Sequence, residues 1–195
     1  MTRGSYALIV VDVQNDFCKG GALAVKGGDE VIVSLNNLID ALVTTDVPIF
    51  FTRDWHPRNH CSFRAYGGPW PPHCVKDTRG AAFHPRLHMP KRAMIISKAT
   101  EPDKEAYSDF EGTKLASTLR EMGVTELFVG GLATDYCVKY TVGDGLKEGF
   151  RVNVLTDCIR GVDLKSTDSK NALNWMKAKG AKETTSERVL KMMSE

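Results

Sequence analysis

Two acids, a base and a thiol follow short apolar runs in this sequence, at positions where they could act together. They are Asp12, Asp54, Lys98 and Cys137. The runs before them span residues 6–11, 47–52, 93–97 and 126–130. In an open parallel sheet, ligands bind beyond the carboxyl ends of the strands. If the runs are strands of one such sheet, the four side chains meet at one edge, although each alone is equally consistent with a solvated strand end.

Cys137 is a candidate nucleophile because of its predicted place in a helix. Thr134 or Asp135 fits the N-cap, which puts Cys137 in the first helical turn. Partial positive charge there lowers the pKa of a thiol, as a nearby lysine does, and the thiolate is the nucleophilic form. The alternative is a buried, inert cysteine. That interpretation is preferred for Cys18, Cys61, Cys74 and Cys158.

A candidate metal site begins with an acid and a histidine two residues apart. Asp54 and His56 point the same way in an extended chain, and His60 and His73 could complete the ligand set. Oxygen and nitrogen ligands suit zinc, iron or manganese. Histidines that only make loop hydrogen bonds remain an alternative. A structural zinc site with thiolate ligands also stays open, because a cysteine follows His60 and His73 directly.

The elements that must position these residues have the pattern of a parallel α/β sheet. Helical spacing is seen at residues 31–45, and three later helical stretches each end at a glycine that a strand follows. These stretches are 113–122, 135–148 and 167–179. The rhythm predicts a parallel sheet with helices on both faces. Residues 55–92 break it, and they hold six of the eight prolines and all five histidines, which predicts a long loop organised around a site.

Composition and charge argue against nucleic-acid-binding proteins, membrane proteins and disulfide-bonded secreted proteins. The 195 residues are 42% hydrophobic and 26% charged, as in ordinary globular domains. A net charge of +2 without blocks of like charge gives no electrostatic reason to expect nucleic acid or membrane partners. The apolar run at residues 6–11 is too short for a signal peptide or a membrane span. Five cysteines, an odd number, predict free thiols in a reducing compartment, here the cytoplasm.

Several motifs in a fixed order resemble those of nicotinamidases in the isochorismatase-like hydrolase superfamily. They are VDVQNDF at 11–17, RDWHP at 53–57, NH at 59–60 with SF at 62–63, WPPHC at 70–74, SKA at 97–99, YS at 107–108 with Phe110, and GLATDYCV at 131–138. The resemblance covers most of the chain. It implies a single domain, residues 1–195, with a three-layer α/β/α fold, a mostly parallel six-stranded sheet and a metal-binding loop region at about 54–92. Lys19 departs from it, since many relatives have proline there.

The resemblance implies a metal-dependent cysteine amidohydrolase that converts nicotinamide to nicotinate and ammonia in NAD salvage. Cys137 would form a thioester, and Asp12 and Lys98 would complete the catalytic triad. Pyrazinamide is expected as a second substrate. A cis peptide bond would precede Ala133, and the backbone N–H groups of Ala133 and Cys137 would form the oxyanion hole.

The resemblance also implies the ligands of the metal and the walls of the ring pocket. Asp54, His56 and His73 would hold one divalent ion, with zinc favoured over iron or manganese, and His60 stands where some relatives have a fourth ligand. The substrate ring would be contacted by Phe17, Trp70, Tyr107 and Tyr136, with packing without substrate contact as the alternative for each.

Three other functions remain open at this point. An amidase acting on N-carbamoyl compounds would share the acid, lysine and cysteine, but such relatives generally lack both metal segments. A non-catalytic zinc-binding or interaction protein would bind metal without hydrolysis. A thiol redox enzyme is disfavoured because no Cys-x-x-Cys motif is present. The sequence leaves a homo-oligomer open.

Overall fold

The computed structural model describes residues 5–194 and is built on one six-stranded sheet. Its strands are β1 Ser5–Val11, β2 Ile49–Asp54, β3 Met94–Lys98, β4 Val124–Leu132, β5 Arg151–Arg160 and β6 Lys182–Thr184. The order across the sheet is β3-β2-β1-β4-β5-β6, and every neighbouring pair is parallel. The predicted strand positions and the parallel sheet are confirmed.

Helices cover both faces of the sheet, which gives the predicted three layers. In the described part of the chain they are α1 Val31–Leu42, α2 Leu115–Glu121, α3 Lys139–Lys147, α4 Asp168–Ala178 and α5 Ser186–Ser194. Buried side chains of α1 and α5 join one hydrophobic core, and those of α2, α3 and α4 join the other. Helix α5 is not predicted from the sequence, because the helix–glycine–strand pattern ends before it. None of the helices within residues 5–194 is long and apolar enough to cross a membrane.

The continuous apolar run of β1 follows from its central place in the sheet. Leu8 and Val10 point into the core under α1, while Ala7, Ile9 and Val11 point into the other core. A strand buried on both faces needs apolar residues at every position rather than at alternate ones.

The strand order reverses between β1 and β4. The chain runs outward from β1 through β2 to β3, and then crosses back to β4 and continues to β6. In doubly wound sheets, ligands bind in the crevice at such a reversal, outside the carboxyl ends of the strands. Asp12 directly follows β1, and the segment that carries Cys137 directly follows β4.

The segment between β2 and β3 is a long loop, as predicted. Its regular structure is limited to one short 3₁₀ turn, Arg64–Tyr66. Isolated β-bridges hold it in place, from Gln14 to Phe83 and from His56 to Val75. The loop is therefore fixed against the edge of the sheet where β1 and β2 end.

Gly131 allows β1 and β4 to approach closely at the reversal point. It pairs with Val11 and has a φ of 128°. A Cβ atom there would lie 2.0 Å from the Val11 carbonyl oxygen and 2.6 Å from the Val11 nitrogen. Any larger residue would push apart the strand ends that carry Asp12 and Ala133.

Substitution of Gly131 tests this constraint. Gly131→Ala is expected to lower the free energy of unfolding by about 3 kcal/mol, because the new methyl group overlaps backbone. Gly123→Ala is the matched control, since Gly123 also has a positive φ but nothing lies within 4 Å of its Cβ position. It should lose only about 1 kcal/mol. Urea denaturation measures both, and equal losses would contradict the close-approach explanation.

Candidate active site

The structure brings Asp12, Lys98 and Cys137 together at the carboxyl edge of the sheet. Lys98 Nζ lies 2.6 Å from Asp12 Oδ2 and 3.6 Å from Cys137 Sγ. A carboxylate oxygen of Asp12 lies within 4.8 Å of the Cys137 sulfur. All three side chains are buried. The proximity expected from the strand ends is therefore present.

The parallel register explains how the amine reaches two acids. Asp54 and Lys98 are the last residues of β2 and β3 and are paired across the two strands. The Lys98 ammonium contacts Asp54 Oδ1 as well as Asp12. Asp12 itself has a φ of 47°, in the left-handed region, as the chain turns off β1.

Burial and charge set the protonation of the acid–amine pair. Burial alone would lower the pKa of Lys98, but Asp12 and Asp54 raise it well above its ordinary value. The amine therefore stays an ammonium ion. Burial raises the pKa of Asp12 against the opposing effect of Lys98, and Asp54 raises it further. A carboxylate with a raised pKa is a stronger base, which suits a proton acceptor.

Cys137 lies in the first turn after β4, as predicted, but no side chain caps that turn. Residues Thr134–Val138 form a π-helical turn that runs into α3, and Ala133 occupies the N-cap position. The carboxylate of Asp135 instead accepts the N–H groups of Val162 and Asp163, each at 2.9 Å. The predicted N-cap is wrong, because both carboxylate oxygens of Asp135 bind N–H groups of the loop after β5.

The expectation of a lowered thiol pKa is also wrong. Burial raises the pKa of Cys137 well above its ordinary value, and Lys98 only partly opposes this, while Asp12 and Asp54 add to the rise. The resting side chain is a thiol. It becomes a nucleophile only when a base takes its proton, and Asp12 is the base within reach.

Asp54, His56 and His73 form a group that could hold a metal ion. One potential ligand atom from each lies within 4.8 Å of the others, and all three residues are buried. His56 Nδ1 faces the carbonyl of Ala99 at 3.2 Å, and His73 Nδ1 faces that of Pro71 at 2.8 Å. Carbonyls that bind one ring nitrogen direct the other toward a metal.

The unpartnered nitrogen of His56 and the neutral ring of His73 fit a divalent cation, whereas without an ion burial is outweighed by Asp54, which raises the pKa of His56. His56 Nε2 is buried without a hydrogen bond, 3.5 Å from Asp54 Oδ2. Burial lowers the pKa of His73, which favours the neutral ring that binds metal. An orphaned imidazole nitrogen beside a carboxylate is expected where an ion completes the contacts. The residues present therefore fit a metal.

His60 is placed beside this group but outside it. Its Nδ1 lies 2.7 Å from the Ser62 hydroxyl, and its Nε2 lies 3.0 Å from the Lys104 carbonyl. Its ring stacks on His56 with the centroids 4.2 Å apart. Because both nitrogens have protein partners, His60 supports the His56 ring rather than offering a free ligand atom.

A narrow pocket opens onto the thiol and the metal group. Its lining includes Cys137, Ala133, Asp54 and His73. The four aromatic residues expected at the ring pocket, Phe17, Trp70, Tyr107 and Tyr136, all lie in its wall. Its cavity volume is about 30 Å³. The pocket therefore fits only a small molecule.

The pocket wall is held in a fixed arrangement. Trp70 Nε1 donates a hydrogen bond to the Tyr107 hydroxyl at 3.0 Å, and the ring of Trp70 meets Tyr136 edge to face. The peptide bond between Leu132 and Ala133 is cis, as the resemblance implies.

Three residues that the sequence analysis did not single out also belong to the site. The Gln14 side chain donates to the Asp54 carbonyl at 2.8 Å and accepts from the Asp54 N–H at 2.9 Å. The Thr52 hydroxyl donates to Asp12 Oδ1 at 2.8 Å. Asp109 Oδ1 lies 4.0 Å from Lys98 Nζ. Gln14 lies inside the VDVQNDF motif, which is the signal available for finding it, whereas Thr52 and Asp109 carry no such signal.

Comparison with known proteins identifies the family of the chain. Residues 6–188 match the isochorismatase domain. The nicotinamidase of Escherichia coli is 42% identical over 196 residues, which cover 90% of this chain and 92% of that protein.

Two solved structures share the fold. The pyrazinamidase of Pyrococcus horikoshii, solved in complex with zinc, is 51% identical with a TM-score of 0.89 and covers 93% of this chain and 99% of its own. PnC1 of L. infantum, solved in complex with nicotinate, is 36% identical with a TM-score of 0.86 and covers 94% of this chain and 93% of its own. By sequence and by structure, the chain belongs to the isochorismatase domain family.

Proposed function

We propose that this protein is a metal-dependent nicotinamidase, which hydrolyses nicotinamide to nicotinate and ammonia and serves NAD salvage. The observation that carries this proposal is the narrow aromatic pocket with a buried thiol, an acid and an ammonium ion at one end and the Asp54–His56–His73 group beside them. The similarity to the nicotinamidase of Escherichia coli supports the same reaction.

In the first half of the reaction, Cys137 forms a thioester. Asp12 takes the thiol proton as the sulfur attacks the carboxamide carbon, and Lys98 stabilises the resulting charges. The backbone N–H groups of Ala133 and Cys137 would stabilise the oxyanion, where one donor is worth about 3 kcal/mol. Asp12 then gives the proton to the leaving nitrogen, because ammonia departs readily only when protonated.

In the second half, water cleaves the thioester. Asp12, ionised again, takes a proton from the attacking water, and the Cys137 sulfur leaves and is reprotonated. Nicotinate is released. The raised pKa of Asp12 suits this alternation, because the same carboxyl group must accept a proton and return it in each half-reaction.

Asp54, His56 and His73 would hold one divalent ion in the wall of the pocket, beside the triad. When bound, the ion supplies a positive charge that orients the pyridine ring. The oxygen–nitrogen donor set admits zinc, iron or manganese. Zinc is the proposed ion, a choice supported by the zinc complex of the Pyrococcus horikoshii protein.

The pocket walls would select a one-ring planar amide. Phe17, Trp70, Tyr107 and Tyr136 line a small cavity and would contact a single flat ring. Pyrazinamide differs from nicotinamide by one ring nitrogen, so it is a proposed second substrate. Larger amides would clash with the side chains of Trp70 and Tyr107, which a hydrogen bond holds together.

We further propose that one domain spanning residues 1–195 carries the reaction, with residues 54–92 as its metal-binding region. All five cysteines are free thiols. Free thiols suit a reducing compartment, so the cytoplasm is the proposed location.

The direct test is incubation of the purified, metal-loaded protein with nicotinamide. Equal amounts of nicotinate and ammonia are expected, and a chelator should suppress both. Cys137→Ala should lower turnover by at least about 10⁴-fold because the nucleophile is lost. Cys61→Ala is the control, since Cys61 is a half-buried cysteine of the loop. Hydrolysis of an N-carbamoyl compound in place of nicotinamide, or full activity of Cys137→Ala, would overturn the proposal.

The metal ligands are tested with His73→Ala. Loss of one of three protein ligands is expected to weaken metal binding by at least about 100-fold and to raise KM for nicotinamide. Elemental analysis after dialysis measures the metal content. His88→Ala is the control, because His88 is exposed and pairs with Asp40. Unchanged metal content in His73→Ala would remove this residue from the ligand set.

The proton-transfer role of Asp12 is tested with Asp12→Asn, which keeps the side-chain shape. Thioester formation, followed by rapid quench, is expected to slow by about 10³-fold because no base takes the thiol proton. Asp40→Asn, a surface substitution, should leave it unchanged. A normal acylation rate in Asp12→Asn would show that another group takes the proton.

A further inference from the structure

A third acid, Asp109, lies next to Lys98 of the triad. The mechanism above does not use it. Asp109 is fully buried in the segment between β3 and α2, with Oδ1 4.0 Å from Lys98 Nζ. Neither of its carboxyl oxygens makes a hydrogen bond of ordinary geometry. Its backbone is fixed, since its N–H donates to the Thr141 hydroxyl at 3.0 Å and its carbonyl accepts from the Thr113 hydroxyl at 2.5 Å.

A buried carboxylate without partners is strongly unfavourable, so this group is expected to hold a proton. Burial raises the pKa of Asp109 well above its ordinary value, and the charge of Asp12 raises it further. Lys98 and the hydroxyl of Thr52 oppose the shift. A neutral Asp109 can donate a hydrogen bond, which an ionised one cannot.

The count of charges explains why the proton matters. Three carboxyl groups, Asp12, Asp54 and Asp109, surround the single ammonium of Lys98. If Asp109 were ionised, it would compete with Asp12 for the ammonium and would repel the charge that forms on Asp12. The Thr52 hydroxyl donates to Asp12 Oδ1 at 2.8 Å and also opposes the rise in the pKa of Asp109, so it lies near both acids.

We propose that Asp109 is a positioning residue that holds a proton behind the Asp12–Lys98 pair, keeps the ammonium on Asp12, and so sets the alkaline limit of activity. The inference rests on the proposed amide hydrolysis. As pH rises, Asp109 loses its proton, and its new charge draws Lys98 away from Asp12 and from the Cys137 sulfur. The charged or titratable groups that face Asp109 are Asp12, Asp54, Lys98 and Cys137, at the ends of four neighbouring elements.

Asp109→Asn tests the proposal, because asparagine keeps the shape and the hydrogen-bond donor but cannot ionise. The pH profile of kcat/KM for nicotinamide is measured on metal-loaded protein. The acidic limb should stay in place, and the alkaline limb of the variant should lie at least about one pH unit higher than that of the wild type. Glu126→Gln, far from the site and paired with Arg151, is the control and should match the wild type. Superimposed profiles of Asp109→Asn and the wild type would overturn the inference.

A stability measurement does not depend on activity. The folded-state pKa of Asp109 is raised, so the native protein holds a proton that the unfolded chain releases, and the wild type loses stability as pH rises above the unfolded value of about 4. The Tm of Asp109→Asn relative to the wild type should therefore increase with pH. Asp109→Ala should show the same trend if the first variant folds poorly. A constant or falling difference would overturn the inference, whereas absence of nicotinamide hydrolysis by the wild type would overturn only the proposed function.

Discussion

The site depends on one buried ammonium ion. Transfer of the Lys98 ammonium from water to the protein interior costs on the order of several kcal/mol of free energy. This cost is offset only when opposite charges and hydrogen bonds replace the lost water. Asp12 and Asp54 supply those charges from the carboxyl ends of β1 and β2. The ion in turn allows two carboxylates to stay close together in a dry crevice. Removal of Lys98, Asp12 or Asp54 leaves uncompensated charge on the others, so the acid–amine pair and the metal group depend on each other.

Asp54 links the two halves of the chemistry. One of its oxygens contacts Lys98, and the other lies 3.5 Å from His56 Nε2. A cation held by the histidines and the ammonium of Lys98 would therefore share a single carboxylate. Gln14 binds both the carbonyl and the N–H of Asp54, so the backbone that carries the shared acid is held in place.

The fold and the meeting of these side chains could be predicted because both follow from rules of period and topology. Strands buried on both faces produce continuous apolar runs, and parallel strands end at one edge, so Asp12, Lys98 and Cys137 were placed correctly. The features that failed depend on contacts that no period records. The Asp135 carboxylate binds the loop at Val162 rather than its own helix, and the Cys137 thiol is so deeply buried that desolvation outweighs the nearby lysine.

The role of Asp109 could not be predicted from the sequence either. The sequence has 24 acidic residues, and Asp109 is one of them. It lies in a loop without periodicity, and nothing local distinguishes it from a solvated side chain. Only the tertiary fold places it beside Lys98 without a hydrogen-bond partner. Such a residue lowers stability above the pKa of an exposed acid, because the folded chain must either retain its proton or bury its charge. A buried group that opposes folding in this way is best explained by its effect on the acid and the amine it faces.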